Sequence, residues 1–151
     1  MSNENNQQII RSNLIEIVGG KKSQRIVAYK VVDFMIKKLL PRHKTLDITI
    51  ELKNIPIRDN AWGLVEIQDN NREFIIELEK NLCLYDFVTS LIHEMVHVKQ
   101  YVRKELTENG LTVYWNGENC SKLAYSKQPW EVEAYRLQSR YSVEFWESRI
   151  L

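Results

Sequence analysis

Cysteine, histidine and proline are scarce in this chain of 151 residues, with two, three and three of each. Two cysteines cannot build a disulfide framework, and Cys83 and Cys120 read as small buried hydrophobes. No excess of one charge sign is present: 21 basic side chains face 20 acidic ones, for a formal charge of +1. That balance offers nothing to a polyanion, so neither nucleic acid nor an anionic membrane surface is expected as a partner. Apolar runs approaching the roughly 20 residues needed to span a bilayer are also missing. The opening "MSNENNQQII" has neither the basic start nor the apolar stretch of a secretory signal, and the expectation is a cytoplasmic protein. Repeats and internal linkers are lacking too. Residues 1–151 therefore read as a single domain, large enough for a real core, with residues 1–8 frayed.

What is present is clear periodicity. Between Ser23 and Leu40 apolar residues recur at spacings of three and four up to the stop at Pro41, which predicts an amphipathic helix. "TLDITIEL" (45–52) alternates strictly, placing Leu46, Ile48, Ile50 and Leu52 on one face of a strand. "WGLVEIQ" and "REFIIELE" predict two more strands joined by the turn-prone Asp69, Asn70 and Asn71. "IIRSNLIEIVGG" has no clean period and is left unassigned. Helical spacing returns from Asp86, read as the N-cap, to Leu106, with Gly110 as the stop.

On that second helix Val88, Leu91, Met95, Val98, Val102 and Leu106 form an apolar stripe. His93 and His97 lie nearly opposite it, one turn apart, where both imidazoles can reach one cation. With Glu94 they spell H-E-x-x-H, which chance would place in about six of a thousand chains of this composition. The chemistry needs this spacing. A hydrolytic zinc takes three protein ligands and leaves a fourth position to water, whose pKa falls to about 7. His93 and His97 would supply two of those ligands, and Glu94 would be the base that takes the proton and passes it to the leaving amine.

A third ligand must come from elsewhere. No histidine follows His97, and every Asp lies before residue 87, so a downstream Glu or Cys120 is required. "PWEVEAYRLQSRYSVEFW" (129–146) predicts a helix starting at Pro129, with Trp130, Ala134, Leu137, Tyr141 and Phe145 as its apolar stripe. Glu131 and Glu133 flank that stripe almost symmetrically, and the helical wheel does not choose between them.

"LIHEMVHVKQY" followed about thirty residues later by "PWEVEAY" resembles the gluzincin zinc metallopeptidases, above all their short intracellular and phage-type members and the ImmA/IrrE-like proteins. The likeness covers roughly residues 60–146. It implies an α+β fold in which a small, mainly antiparallel sheet packs on the active-site helix and a second helix supplies the third ligand. The family pattern E-x-x-A-[D/N] then selects Glu131, with Ala134 as the small residue that lets the helices approach. Tyr135 departs from that pattern, standing where Asp or Asn usually orients a ligand histidine. The family also places a Tyr or His where an oxyanion develops, a role open to Tyr125 or Tyr114. "LTVYWNGENCSKLAY" (111–125), with its Asn116-Gly117 turn, predicts a hairpin over the cleft. "REFIIELE" would be the sheet edge that receives an extended peptide. The resemblance thus implies a zinc endopeptidase acting on a peptide or protein substrate. The alternatives are a metal-stabilised binding or regulatory module without turnover, and a structural protein in which the motif is accidental.

Overall fold

A computed structural model describes residues 12–56 and 62–151; the frayed segment expected at 1–8 lies outside them. The elements run β1 (Leu14–Gly19), α1 (Lys22–Leu39), β2 (Asp47–Lys53), β3 (Gly63–Ile67), β4 (Glu73–Glu79), α2 (Leu84–Val102), β5 (Leu106–Asn109), β6 (Thr112–Trp115), β7 (Glu118–Asn119) and α3 (Pro129–Glu147). A 3-10 turn at Tyr125–Lys127 leads into α3.

The class is α+β, as expected, but the sheet under the helices is mixed. Its order is β1-β2-β4-β3, with β1–β2 and β2–β4 parallel and only β3–β4 antiparallel. The mainly antiparallel sheet is therefore corrected: α1 carries the chain back between β1 and β2, and only the short Asp69–Asn71 turn makes a hairpin. β5, β6 and β7 form a separate antiparallel meander, turned by Asn116 and Gly117, whose positive φ values of 49° and 85° suit that turn. "LIEIVG", unassigned from sequence, is the edge strand β1. Leu14 and Val18 are exposed while Ile15 and Ile17 pack against the core, so apolar residues on both faces hide its period.

One face of the main sheet carries the core. Ile48, Ile50 and Leu52 of β2 and Phe74, Ile76 and Leu78 of β4 are buried there, with Leu46 just before β2. They meet Val31, Val32 and Met35 of α1 and Val88, Leu91 and Met95 of α2. The opposite face is mainly polar, with Leu14, Val18 and Leu64 exposed among charged residues, and includes the ion pair of Lys53 Nζ with Glu77 at 2.6 Å. α3 adds Ala134, Leu137, Tyr141 and Phe145 to the same core. α2 is thus enclosed, with 13 of its 19 residues buried.

Two predicted boundaries move. Cys83, not Asp86, occupies the N-cap of α2, and Asp86 lies in the first turn, favourable for a carboxylate at the positive end of the helix. The helix stops at Lys104, not Gly110. Lys104 takes the left-handed conformation (φ 57°), donating to Tyr101 O while Glu105 N donates to Gln100 O at 2.9 Å, which closes the helix end; Gly110 turns β5 into β6. The cysteines also differ from expectation: Cys83 is exposed at a helix start and Cys120 only half-buried.

Candidate metal centre

Burial of the histidine face follows from the neighbours of α2. His93 and His97 lie off the apolar stripe, yet each is only 8% exposed, because α3 and β3 cover that side. Their rings stand edge to face with centroids 4.9 Å apart. Glu131, in the first turn of α3, reaches between them: Oε2 lies 3.1 Å from His93 Nε2 and Oε1 lies 2.8 Å from His97 Nε2. His93, His97 and Glu131 offer ligand atoms that all fall within 4.8 Å of one another. Among the described residues Cys120 is not part of this group. Neither is Glu133, which accepts from Lys99 Nζ at 2.8 Å on the adjoining flank of α3. The ambiguity between Glu131 and Glu133 is thereby removed at the level of geometry.

The far ring nitrogens fix the tautomers. His97 Nδ1 is 2.8 Å from Gln100 Oε1, and the amide orientation of Gln100 is set because its Nε2 donates to Trp130 O and to Glu133 Oε1. His93 Nδ1 is 2.7 Å from Gln138 Oε1. With Gln100 and Gln138 Oε1 as acceptors both Nδ1 atoms donate; each Nε2 then donates to Glu131 while it holds a proton and presents a lone pair once it has lost it. A divalent cation among the three side chains would take the place of those protons. This donor set fits a divalent metal: two imidazoles, one carboxylate and orienting partners behind the rings. Tetrahedral coordination with bonds of about 2.1 Å needs donor separations of about 3.4 Å, so the two histidine–carboxylate distances, 3.1 and 2.8 Å, would have to open by about 0.3 and 0.6 Å.

Gln100 and Gln138 are the residues that sequence reading missed. Gln138 lies one turn beyond Tyr135 and does what an Asp or Asn was expected to do there. Tyr135 instead packs its ring edge against His93, at 4.6 Å between centroids. The available signal was spacing alone: Gln100 follows His97 by three residues, and Gln138 follows Glu131 by seven on the same helical face.

The electrostatics follow the contacts. Burial alone would raise the Glu131 carboxyl, but hydrogen bonds from His93, His97 and Tyr125, and the charge of His97, hold it well below the usual carboxylate range. Burial alone would lower His97, yet Glu131 and Glu94 outweigh that and raise it. Glu94 behaves in the opposite way to Glu131. Burial, helped by the nearby Glu131 charge, pushes its carboxyl upward, only partly offset by His97 and His93. Among the described residues no group hydrogen-bonds its side chain.

Tyr125, expected near a developing oxyanion, does reach the site. Its hydroxyl donates to Glu131 Oε2 at 2.8 Å and lies 3.2 Å from the Tyr135 hydroxyl. Burial and these contacts raise the Tyr125 phenol so far that it remains a donor. Tyr114, paired with Thr107 and Asn119 on β6, does not line the cleft.

The cleft has a volume of about 1130 Å³ and opens between β3, α2, β5–β6 and α3. Its sheet edge is β3, not "REFIIELE", since β4 is held between β2 and β3. Glu79 N donates to Trp62 O and Gln68 N donates to Glu73 O, so residues of even number on β3 face β4. The N–H and C=O groups of Gly63 and Val65 consequently point to the open edge. Gly63 lies against the base candidate: a Cβ placed there would fall 2.9 Å from Glu94 Cγ and 3.1 Å from its Oε1. Its φ lies outside the left-handed region, so space and not backbone conformation calls for glycine.

No helix among the described residues is long and apolar enough to cross a membrane. No protein-family model, curated protein or solved structure matches this chain.

Proposed function

We propose that this chain is a zinc-dependent endopeptidase, hydrolysing internal peptide bonds of an extended peptide or protein segment. The observation that carries the reading is the convergence of His93 Nε2, His97 Nε2 and the Glu131 carboxylate beside an unpaired Glu94, beneath a free strand edge. Two imidazoles with one carboxylate suit zinc and leave a coordination position open. When bound, zinc supplies a Lewis acid that lowers the pKa of water to about 7 and draws charge from the scissile carbonyl.

The chain's own groups do the remaining work. β3 pairs with the substrate backbone through the outward groups of Gly63 and Val65, fixing the scissile bond over Glu94. Glu94, whose burial raises its basicity, accepts the proton of the attacking water and returns it to the departing amine. Gln100 and Gln138 hold the ligand rings with Nε2 inward. Tyr125, a permanent donor, steadies Glu131, and its single hydroxyl proton can turn from that carboxylate to a carbonyl oxygen carrying negative charge. Among the described residues that line the cleft there is no Lys or Arg to bind a terminal carboxylate, which favours internal bonds over C-terminal ones.

The test is metal analysis joined to two variants. The purified protein should carry close to one zinc per chain, and the double substitution His93→Ala with His97→Ala should abolish it; unchanged zinc would overturn the reading. Glu94→Gln should keep the zinc and lose hydrolysis of a mixed library of unstructured peptides by at least ~10²-fold. Zinc at one per chain with no hydrolysis by the parent protein would make it a metal-stabilised binding module instead.

A further inference from the structure

The cleft is long, and its charge is one-sided. Twenty of the described residues line it, among them Asp86, Glu94, Glu108 and Glu131, and none of those twenty is Lys or Arg. The chain as a whole has 21 Lys and Arg, so this exclusion is local. Lys99, the cation nearest to the centre along α2, is only 7% exposed and is held by Glu105 and Glu133 at 2.7 and 2.8 Å, which leaves it no charge to offer a ligand.

Two of the four carboxylates belong to the metal centre, and the other two mark the ends of the cleft. Asp86 stands in the first turn of α2, beside Tyr85. Glu108 stands on β5, where its Oε1 accepts from the hydroxyl of Tyr101 at 2.8 Å. Asp86 and Tyr101 are fifteen positions apart on one helix, hence about 22 Å along its axis, with His93 and His97 between them. An extended chain rises about 3.3 Å per residue, so six residues reach about 17 Å from first to last backbone position, and the long side chains of a basic residue at each end cover the remaining few ångström. Among the described residues no Lys or Arg pairs with either Asp86 or Glu108. Large apolar side chains stand exposed between the two ends: Trp62, Tyr125 and Tyr135 are each about half accessible, and all three line the cleft.

From these features we infer the substrate class: an extended peptide segment of about six residues, apolar beside the scissile bond and carrying Lys or Arg toward both ends, where Asp86 and Glu108 receive them. The inference rests on the reading of this cleft as a peptide site. Opposite charge at both ends also sets the register, because a shift by one residue along β3 moves each basic side chain to the other face of the substrate strand. The aromatic rim supplies affinity that no charge pattern alone would give.

Binding separates this inference from hydrolysis. Zinc-loaded Glu94→Gln protein, which does not turn over, is titrated with three fluorescent hexapeptides that share an apolar centre and end in Lys, Gln or Glu. Affinity should fall in that order, with Lys over Gln by about tenfold at low ionic strength, and the gap should shrink at high salt. Asp86→Asn and Glu108→Gln, the second keeping an acceptor for Tyr101, should each reduce the Lys-over-Gln ratio two- to fivefold. Equal affinity for the Lys and Gln peptides, an unchanged ratio in the two variants combined, or no binding of any peptide would overturn it. Preferential binding of the Lys peptide by a protein whose parent never cleaves it would keep this inference and discard the hydrolytic one.

Discussion

Replacing Gly63 by Ala should destabilise the protein through Glu94 and through nothing else of comparable size. Taken alone, the strand favours the change, since Ala in an extended segment gains about 0.4–1 kcal/mol over Gly by restricting the unfolded chain. Against this stand three close contacts of the new methyl group: 2.9 Å to Glu94 Cγ, 3.1 Å to Glu94 Oε1 and 3.2 Å to Glu77 O. Overpacking of this kind costs about 1–3 kcal/mol. Two of the three contacts vanish in a Glu94→Ala background. Gly63→Ala should therefore lower stability by about 1–2 kcal/mol when Glu94 is present and be neutral or slightly stabilising when it is absent, a coupling of about 2 kcal/mol. In a chain of this length that is a difference of about 4–8 °C in melting temperature. Thermal unfolding of the parent, both single variants and the double variant completes the cycle without any activity assay. If the two changes add to within about 0.5 kcal/mol, Gly63 does not hold Glu94 in place and the close packing of β3 on the base is wrong.

Two further outcomes follow from the centre. Glu131→Gln should weaken zinc affinity by at least ten- to a hundredfold in a metal-competition titration, while Glu133→Gln should leave it nearly unchanged and instead lower stability by about 1–3 kcal/mol, because the buried Lys99 ammonium loses one of its two carboxylate partners. Gln138→Ala and Gln138→Met should each reduce zinc affinity ten- to a hundredfold and Gln138→Glu should retain it, since either amide or carboxylate accepts from His93 Nδ1; full affinity in Gln138→Met, which keeps the size but no such acceptor, would show that Gln138 only fills space.

The helices and the two central strands were legible because each presents one apolar face with a single period. Ile48, Ile50 and Leu52 alternate in β2, and Leu137, Tyr141 and Phe145 recur at helical spacing in α3. Strand order was not legible: periodicity reports which face of a strand is buried and is silent on its neighbours, so "REFIIELE" read as an edge although β2 and β3 flank it. The end of α2 was misplaced because Gly110 is the conventional stop, whereas Lys104 adopts the left-handed conformation with two capping bonds to compensate. At the centre His93, Glu94 and His97 stood out by spacing, but the wheel treated Glu131 and Glu133 alike. What separates them lies outside their own helix: Lys99 draws Glu133 to one flank of α2 and the two imidazoles draw Glu131 to the other. Gln100 and Gln138 escaped because an amide has no charge and no restricted chemistry to mark it in a sequence.

Those two glutamines also bear on the charge of the centre. Aspartates behind the ligand rings would add negative charge next to Glu131, and four carboxylates already line the cleft. Neutral amide oxygens fix the ring tautomers equally well while adding none. The ligand set then carries a single formal negative charge, from Glu131, against the two positive charges of a divalent ion. One positive charge is left over in a pocket where Glu94, His93 and His97 are each less than a tenth exposed and where screening by water is weak. In the proposed hydrolysis a carbonyl oxygen gaining negative charge would meet that residual charge beside the Tyr125 hydroxyl, while the raised basicity of Glu94 would remain available for the proton. Exchanging the glutamines for carboxylates would hold a metal more firmly and leave it a weaker electrophile, so neutral partners behind the rings are what the proposed hydrolysis calls for.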